Sequence, residues 1–186
     1  MKKNLLIPAL CVFGGLLFFS CVKDTDFDEA ENVAATPVVE LNLIHFNVGA
    51  NEFYDTITNT PRLILTDTTE IRFLDDTEIQ ESLLRADFLF RFRNSIPRTF
   101  VVDFQFLSEQ NEITYATSTT VPAGTEQIPA TPPDFIQVVE GDDIALLTQA
   151  NKVVANVTIP SADADLVGNL NLQSKTTYYL EIKERN

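Results

Sequence analysis

Two runs of alternating residues dominate the middle of the chain: ADFLFRFR at residues 86–93 and TFVVDFQFL at residues 99–107. In the first run every second residue from position 88 is phenylalanine, and in the second every second residue from position 100 is apolar. A period of two places alternate side chains on opposite faces of a β-strand. Each run therefore predicts a strand with one face toward the core. At roughly 1.5–3 kcal/mol per buried side chain, these faces form the predicted centre of that core.

The segment NSIPR at residues 94–98 connects the two runs. Asn94 favours a turn and Pro97 ends strand pairing, so we expect the two strands to be neighbours in one sheet. A polar turn at Ser108–Glu112 then leads to a third strand at Ile113–Thr119. The three strands are predicted to form a meander, with the phenylalanines on its inner face.

Shorter patterns flank this centre. Further strands are predicted at Val38–Val48, Arg62–Thr66, Thr69–Leu74, Lys152–Ile159 and Thr176–Ile182, with a strand fragment at Leu170–Leu172. The apolar phase of the earliest of these strands slips between Leu43 and Ile44, which indicates a bulge or a change of sheet. Prolines mark residues 121–133 as a long loop, and residues 161–169 form a polar loop.

Two short helices are predicted as well, at Glu78–Leu84 and Ile144–Ala150. Thr77 and Gln80 match a capping box for the first helix, and Asp142 or Asp143 is the expected N-cap of the second. Many short strands with two brief helices predict an all-β fold. Over residues 37–186 we expect a single antiparallel β-sandwich of about seven or eight strands.

Residues 1–20 have the parts of a secretory signal peptide. Lys2 and Lys3 give a positive start, Leu5–Phe19 is an apolar run without charge, and Ser20 is a small residue at its end. As a helix the run would reach about 22 Å, short of a bilayer core of about 30 Å. We therefore expect cleavage of this segment, the alternative being a membrane anchor that stays uncut.

The pair Ser20–Cys21 resembles the lipobox of bacterial lipoproteins, with Phe18 where leucine is usual. The resemblance implies that Cys21 is acylated and becomes the N-terminus of the mature chain, which the lipid then joins to the membrane. Cys11 would be lost with the signal peptide, so that no disulfide could form in the mature protein.

Residues 21–36 are the predicted lipidated cysteine and an acidic tether. Residues 22–36 contain five acids and one base without helical or alternating order, so we expect a flexible segment of roughly 20 Å. The stretch Lys23–Glu29 resembles the surface-export signal of Bacteroidetes lipoproteins, which implies an outer-membrane protein at the cell surface. The alternatives are a spacer without an address and the periplasmic face of that membrane.

The formal net charge of the chain is −14 at pH 7. Nucleic-acid phosphates require a surface rich in lysine and arginine, so this balance excludes nucleic acid as an expected partner. It also argues against electrostatic adhesion to anionic lipid, so the acyl group must supply the affinity for the membrane.

His45 is the only histidine, so any triad or histidine base must use it. It lies in the strand-like run LNLIHFN without a catalytic motif, and we expect a packed or rim residue. Three pairs of acids could support carboxylate chemistry: Asp75 with Asp76, Asp142 with Asp143, and Asp163 with Asp165. The first two pairs precede predicted helices, which favours capping, and the third is expected in a solvated loop. We expect no cofactor and no metal.

Three functional classes remain open. The favoured hypothesis is a non-catalytic, lipid-anchored envelope protein that binds or supports another outer-membrane or surface component. The second is a glycan-binding module of a polysaccharide uptake system, although the chain has no tryptophan and no grouping is evident among its four tyrosines, Tyr54, Tyr115, Tyr178 and Tyr179. The third is a hydrolase that uses carboxylates alone.

The first testable prediction concerns the anchor. Changing Cys21→Ala should abolish acylation and leave uncut precursor or a soluble species, because the residue that receives the lipid is gone. Labelling cells with a tagged fatty acid measures this directly. Label in the variant at the wild-type level would contradict the assignment of Cys21.

Overall fold

Consecutive long strands of this chain alternate between two antiparallel sheets. The structure, a computed structural model, describes residues 34–183. The predicted signal peptide, Cys21 and most of the predicted tether lie outside the described residues.

The chain order of the elements is as follows. The strands are β1 (Ala34–Ala35), β2 (Val38–Gly49), β3 (Tyr54–Asp55), β4 (Thr60–Pro61), β5 (Ile64–Glu70), β6 (Leu83–Asn94), β7 (Phe100–Leu107), β8 (Ile113–Val121), β9 (Phe135–Glu140), β10 (Lys152–Thr158), β11 (Asn169–Leu180) and β12 (Ile182–Lys183). The helices are α1 (Thr77–Ser82) and α2 (Asp142–Leu147), and Ala50–Phe53 and Arg72–Asp75 form 3₁₀ turns.

Eight strands make up the two main sheets. Sheet A has the order β5-β10-β7-β8 and sheet B the order β2-β11-β6-β9, and all neighbours within them are antiparallel. Among these eight, only the β7–β8 hairpin stays within one sheet, and every other connection crosses to the opposite sheet. This is the jelly-roll form of the β-sandwich. The predicted all-β, single antiparallel β-sandwich with two short helices is confirmed.

The predicted meander is correct for β7 and β8, which pair as a hairpin, but wrong for β6, because β6 and β7 belong to different sheets. Their phenylalanine rows face each other across the sandwich instead of lying side by side. The rings of Phe90 and Phe104 stack with centroids 3.9 Å apart, and those of Phe88 and Phe106 lie 4.8 Å apart. All four side chains are fully buried. The predicted inward faces are therefore correct, although the pairing of the strands is not.

Asn94 explains why residues 94–98 cross between the sheets rather than form a hairpin. Its buried side-chain amide donates to the carbonyl oxygens of Arg98 (2.9 Å) and Pro122 (2.8 Å). Its Oδ1 atom accepts from the backbone N–H of Ile96 at 2.8 Å, and Ile96 is itself buried in the core. A hairpin would place this segment in solvent, whereas the buried isoleucine holds it against the core.

The phase slip in β2 is a β-bulge, as predicted. His45 pairs with Gln173 and Asn42 with Lys175, so that two residues of β2 stand opposite the single residue Ser174. Leu43 and Ile44 are consequently both buried. The hydroxyl of Ser174 accepts from the backbone N–H of Ile44 (3.0 Å) and donates to its carbonyl oxygen (2.6 Å), replacing the lost ladder bonds.

Several boundaries differ from the predictions. The strands predicted at Arg62–Thr66 and Thr69–Leu74 are one strand, β5, followed by a 3₁₀ turn, and β9 was not predicted. The fragment at Leu170–Leu172 is part of β11. The N-cap of α1 is Asp76, not Thr77.

The cap of α2 also differs. Gly141, at φ 62°, occupies the N-cap position, where the left-handed backbone suits glycine. Asp142 and Asp143 fall in the first turn instead, where their negative charge is favourable beside the helix N-terminus.

The core generates a prediction about stability. Phe104 is fully buried and stacked on Phe90, so Phe104→Ala should lower the free energy of unfolding by roughly 3–5 kcal/mol through the cavity it leaves. Asp103→Ala, on the opposite face of the same strand, is the control and should change it by less than about 0.5 kcal/mol. Urea melts of the domain after Cys21 measure both. Equal urea midpoints for the two variants would contradict the packing of the two phenylalanine rows against each other.

Tyr178 generates a prediction about pH. Its ring is buried and stacked on Phe73, with centroids 4.6 Å apart, and burial raises the pKa of Tyr178 to about 12. The unfolded chain ionises this phenol above about pH 10, while the folded chain keeps it neutral until about pH 12. Its contribution to stability is therefore complete below pH 10 and is lost as the pH rises toward 12, by roughly 2–3 kcal/mol. Tyr178→Phe should flatten this part of the stability profile, and a variant as steep as wild type would contradict the assignment.

Candidate binding site

The residues that the sequence offered for catalysis do not come together. His45 is exposed on β2, and its side chain makes no hydrogen bond or ion pair to another described residue. Asp76 caps α1 by accepting from the backbone N–H groups of Glu78 (2.8 Å) and Ile79 (3.3 Å). Between residues 34 and 183 no three His, Cys, Asp or Glu side chains are grouped so that they could hold a metal ion.

The third acidic pair lies in the solvated loop that was predicted for it. Asp163 accepts from the guanidinium of Arg98 at 3.2 Å and from the backbone N–H of Asp165 at 3.1 Å. Both hydrogen bonds fix the loop before β11, and the side chain of Asp163 is 56% exposed.

The four tyrosines are dispersed over the domain. Tyr178 is in the core, Tyr115 packs its edge on Phe106, and Tyr54 donates to the side chain of Asn59 at 2.7 Å. Tyr179 lies beneath the guanidinium of Arg85, 5.3 Å from the ring centroid. They do not form a common aromatic surface for a sugar ring.

A regular array of polar side chains lies instead on the outward face of sheet B. We call it the polar grid, and its members are His45 and Asn47 on β2, Asn171 and Gln173 on β11, and Arg91 and Arg93 on β6. The register aligns them in two rows across the three strands. His45, Gln173 and Arg91 form one row, and Asn47, Asn171 and Arg93 form the other. Neighbouring strands are about 4.8 Å apart and the rows about 7 Å apart.

The bulge in β2 decides which of its residues join the grid. Before the bulge the outward positions are even-numbered, and after it they are odd-numbered. Without the extra residue, His45 and Asn47 would face the core and Phe46 would face water. Because Leu43 and Ile44 are both buried at the bulge, His45 and Asn47 face outward, and β2 supplies the third polar strand of the site.

A groove of about 260 Å³ opens beside the grid. The β6 and β11 members of the grid line one side of it, and Thr131, Pro132 and Asp134 of the loop before β9 line the other. Arg91 donates to Asp134 through Nε (3.0 Å) and Nη2 (2.7 Å), which ties this loop to the sheet. The hydrogen bond from Arg91 lowers the pKa of Asp134, so the pair stays ionised at neutral pH.

Most of the hydrogen-bonding capacity of the grid is unused within residues 34–183. The side chains of His45, Asn47, Gln173 and Arg93 make no hydrogen bond or ion pair there. Asn171 donates one bond, to the carbonyl oxygen of Phe46 at 3.3 Å, and keeps its own carbonyl oxygen available. These exposed groups are solvated, so a ligand that displaces their water can replace those bonds without leaving buried groups unpaired.

Sequence reasoning did not find this site. The alternation FRFR in β6 predicted a strand with one face toward the core, and Leu170–Leu172 in β11 was predicted only as a strand fragment. Neither pattern could place the two strands side by side. The pairing of β2 with β11 joins residues 130 apart in the chain, which no local pattern reports.

A second concave region lies where β2 and the segment after β5 approach each other. It is an apolar groove of about 480 Å³ whose lining includes Leu41, Leu43, Ile71, Phe73 and Tyr178. Leu43, Ile71 and Tyr178 are already buried in the core. The groove is therefore an extension of the sandwich interior at its open side. Asn42, Glu70, Arg72 and Thr176 complete its lining, and Arg72 is paired with Glu70 at 2.7 Å.

No helix within residues 34–183 has the length and apolar character needed to cross a bilayer.

Comparison with known proteins gives no family. No family model matches the chain, and no curated protein matches it either. Similar solved structures include the VP2 subviral particle of infectious bursal disease virus, at 10% identity and a TM-score of 0.47, over 77% of this chain and 32% of that one. A protein of Parabacteroides distasonis named as secreted is 15% identical with a TM-score of 0.42, over 66% and 38% of the two chains.

The enzymatically active domain of tailspike protein 4 from bacteriophage CBA120 is 14% identical with a TM-score of 0.39, over 82% of this chain and 20% of that one. The chain thus spans less than two fifths of each of these three proteins. With TM-scores below 0.5, none of them bears on what this chain binds or does.

Proposed function

We propose that this chain is a non-catalytic protein of the bacterial cell envelope that is anchored by lipid at Cys21 and holds another outer-membrane or surface component. The observation that carries the proposal is the polar grid. It presents six polar side chains in register on one sheet face, and all but Asn171 are exposed. The strands fix the backbone positions of these groups, so that only their side chains need to be ordered when a ligand binds.

The N-terminal segment supports the envelope location. The apolar run before Ser20, the cysteine that follows it and the acidic residues 22–36 have the order expected of an exported lipoprotein. A lipid at Cys21 would keep the domain near the outer membrane, on the cell surface or on its periplasmic face. The tether of roughly 20 Å would leave the sandwich room to turn its grid toward a neighbour.

The positions of the acids support a binding role over a catalytic one. Asp76 and Asp163 accept hydrogen bonds that fix a helix and a loop, and Asp142 and Asp143 lie in the first turn of α2. A glycosidase needs two carboxylates facing each other across a cleft, about 5–9 Å apart. These four acids are engaged in local structure instead.

A glycan-binding module is the second candidate, and one observation favours it. Asn47, Asn171 and Gln173 each present an amide donor beside a carbonyl acceptor, and sugar hydroxyls both donate and accept hydrogen bonds. The grid could thus bind a polyhydroxylated ligand by hydrogen bonds without an aromatic surface.

A photo-crosslinking experiment tests whether this face is used. Benzoylphenylalanine is placed at Gln173 in the grid or at Gln105, the matched outward-facing glutamine on a central strand of sheet A. In irradiated intact cells, Gln173 should give an adduct that Gln105 does not. A discrete band indicates a protein component, and a polydisperse smear indicates a glycan.

The Cys21→Ala background provides a further control. The adduct should weaken there, because the domain no longer lies near the membrane component. An adduct at Gln105 alone, or at neither position, would show that the polar grid is not the binding face.

A further inference from the structure

We infer that the ligand of the polar grid is a sugar that carries a carboxylate, and that Arg93 binds this carboxylate. The inference rests on the glycan-binding form of the proposed function. It starts from the pairing of the arginines. Of the six arginines within residues 34–183, four form ion pairs with carboxylates of the same domain. Arg93 forms none with any residue between 34 and 183, and it lies on a central strand of sheet B.

The register explains why Arg93 is left unpaired. Its cross-strand neighbour is Asn171, and Asn47 follows in the same row, so amides stand where an acid could have paired with it. The nearby carboxylate of Asp134 already accepts hydrogen bonds from Nε and Nη2 of Arg91 through its two oxygens. The chain has 27 acidic and 13 basic residues, so most basic side chains can find a carboxylate to pair with. Arg93, beside the groove, differs from them in this respect.

The guanidinium group indicates the chemistry of one part of the ligand. Arginine presents parallel N–H donors that match the two oxygens of a carboxylate, and such charge-assisted bonds are about twice as strong as neutral ones. The residues around Arg93 define the rest. Asn171 and Gln173 offer donors and acceptors side by side, which neutral hydroxyl groups can satisfy together.

Charge favours a sugar with a single carboxylate over an acidic peptide or a polyanion. The chain as a whole carries −14, so each additional negative charge on a ligand meets repulsion outside the immediate site. At physiological salt this repulsion is screened beyond about 8 Å, whereas the contact with Arg93 is not. One carboxylate at Arg93, surrounded by neutral hydroxyls, gains the contact with the least repulsion.

The size of the groove agrees with a single sugar residue. At about 260 Å³ it is smaller than the roughly 300–1,000 Å³ of pockets that hold drug-sized ligands. The two rows of the grid are about 7 Å apart, within the span of one ring and its substituents. Thr131 and Pro132 line the groove opposite the strands and would contact the same ring.

Matched sugars provide the test. The full lipidated chain in detergent micelles is titrated with methyl glucuronide and methyl galacturonide, and with the corresponding neutral methyl glucoside and galactoside. Each acidic sugar differs from its neutral counterpart only at C6, where a carboxylate replaces the hydroxymethyl group. We expect one of the uronides to bind about 10- to 100-fold more tightly than its neutral counterpart, as a charged hydrogen-bonded contact does.

Substitutions assign the effect to Arg93. Arg93→Gln should remove this preference, so that the uronide binds no more tightly than its neutral counterpart. Arg62→Gln, an exposed arginine outside the grid that also lacks an ion pair, is the matched control and should change neither. Gln173→Ala should weaken the acidic and the neutral sugar alike, because it removes bonds to hydroxyls.

The outcomes separate this inference from the proposed function. Equal affinity for acidic and neutral sugars, or a preference that survives Arg93→Gln, overturns the role of Arg93. Acetate binding as tightly as the uronide overturns the sugar, since the carboxylate alone would then be recognised. If no sugar binds while Gln173 still gives a crosslinked protein band, the inference fails and the proposed envelope-binding function stands. If both fail, the polar grid is not a binding site.

Discussion

The fold depends on two rows of phenylalanine that pack across the gap between the sheets. Phe88 and Phe90 on sheet B meet Phe106 and Phe104 on sheet A, and all four side chains are excluded from water. The two cysteines of the chain, at positions 11 and 21, lie outside the described domain, so no disulfide supports the sandwich. Apolar burial and aromatic contact must therefore offset most of the conformational entropy lost on folding.

The sequence predicted the faces of the strands better than their partners. The period of two in β6 and β7 is a local property, and it identified the buried phenylalanines correctly. The pairing of strands depends on contacts distant in sequence, and the default of a hairpin failed at residues 94–98. There the buried side chain of Asn94 bonds to the carbonyl of Pro122, 28 residues away, which no turn propensity reports.

The same distinction explains the candidate site. Alternation within a strand can show which of its faces is polar. The grid, however, exists only because β2, β11 and β6 lie side by side in one register. The strand β9 was not predicted, and it follows the proline-rich stretch that was assigned as a long loop. Without β9, the sequence could not place that loop and Asp134 beside β6, where they line the groove. The predicted anchor at Cys21 does not depend on strand pairing, since a lipidation signal is a local sequence pattern.

The bulge in β2 has a consequence for how the domain can change over evolutionary time. Deleting one residue between Asn42 and His45 would rotate the second half of the strand by one position relative to its neighbours. The bulged register is stabilised by the hydroxyl of Ser174, which forms two hydrogen bonds where the ladder between β2 and β11 is interrupted. A single-codon insertion or loss at this point therefore changes which side chains this half of β2 presents on the outer face of sheet B. It would exchange a column of polar side chains for apolar ones, while β6 and β9 of sheet B and all four strands of sheet A keep their partners.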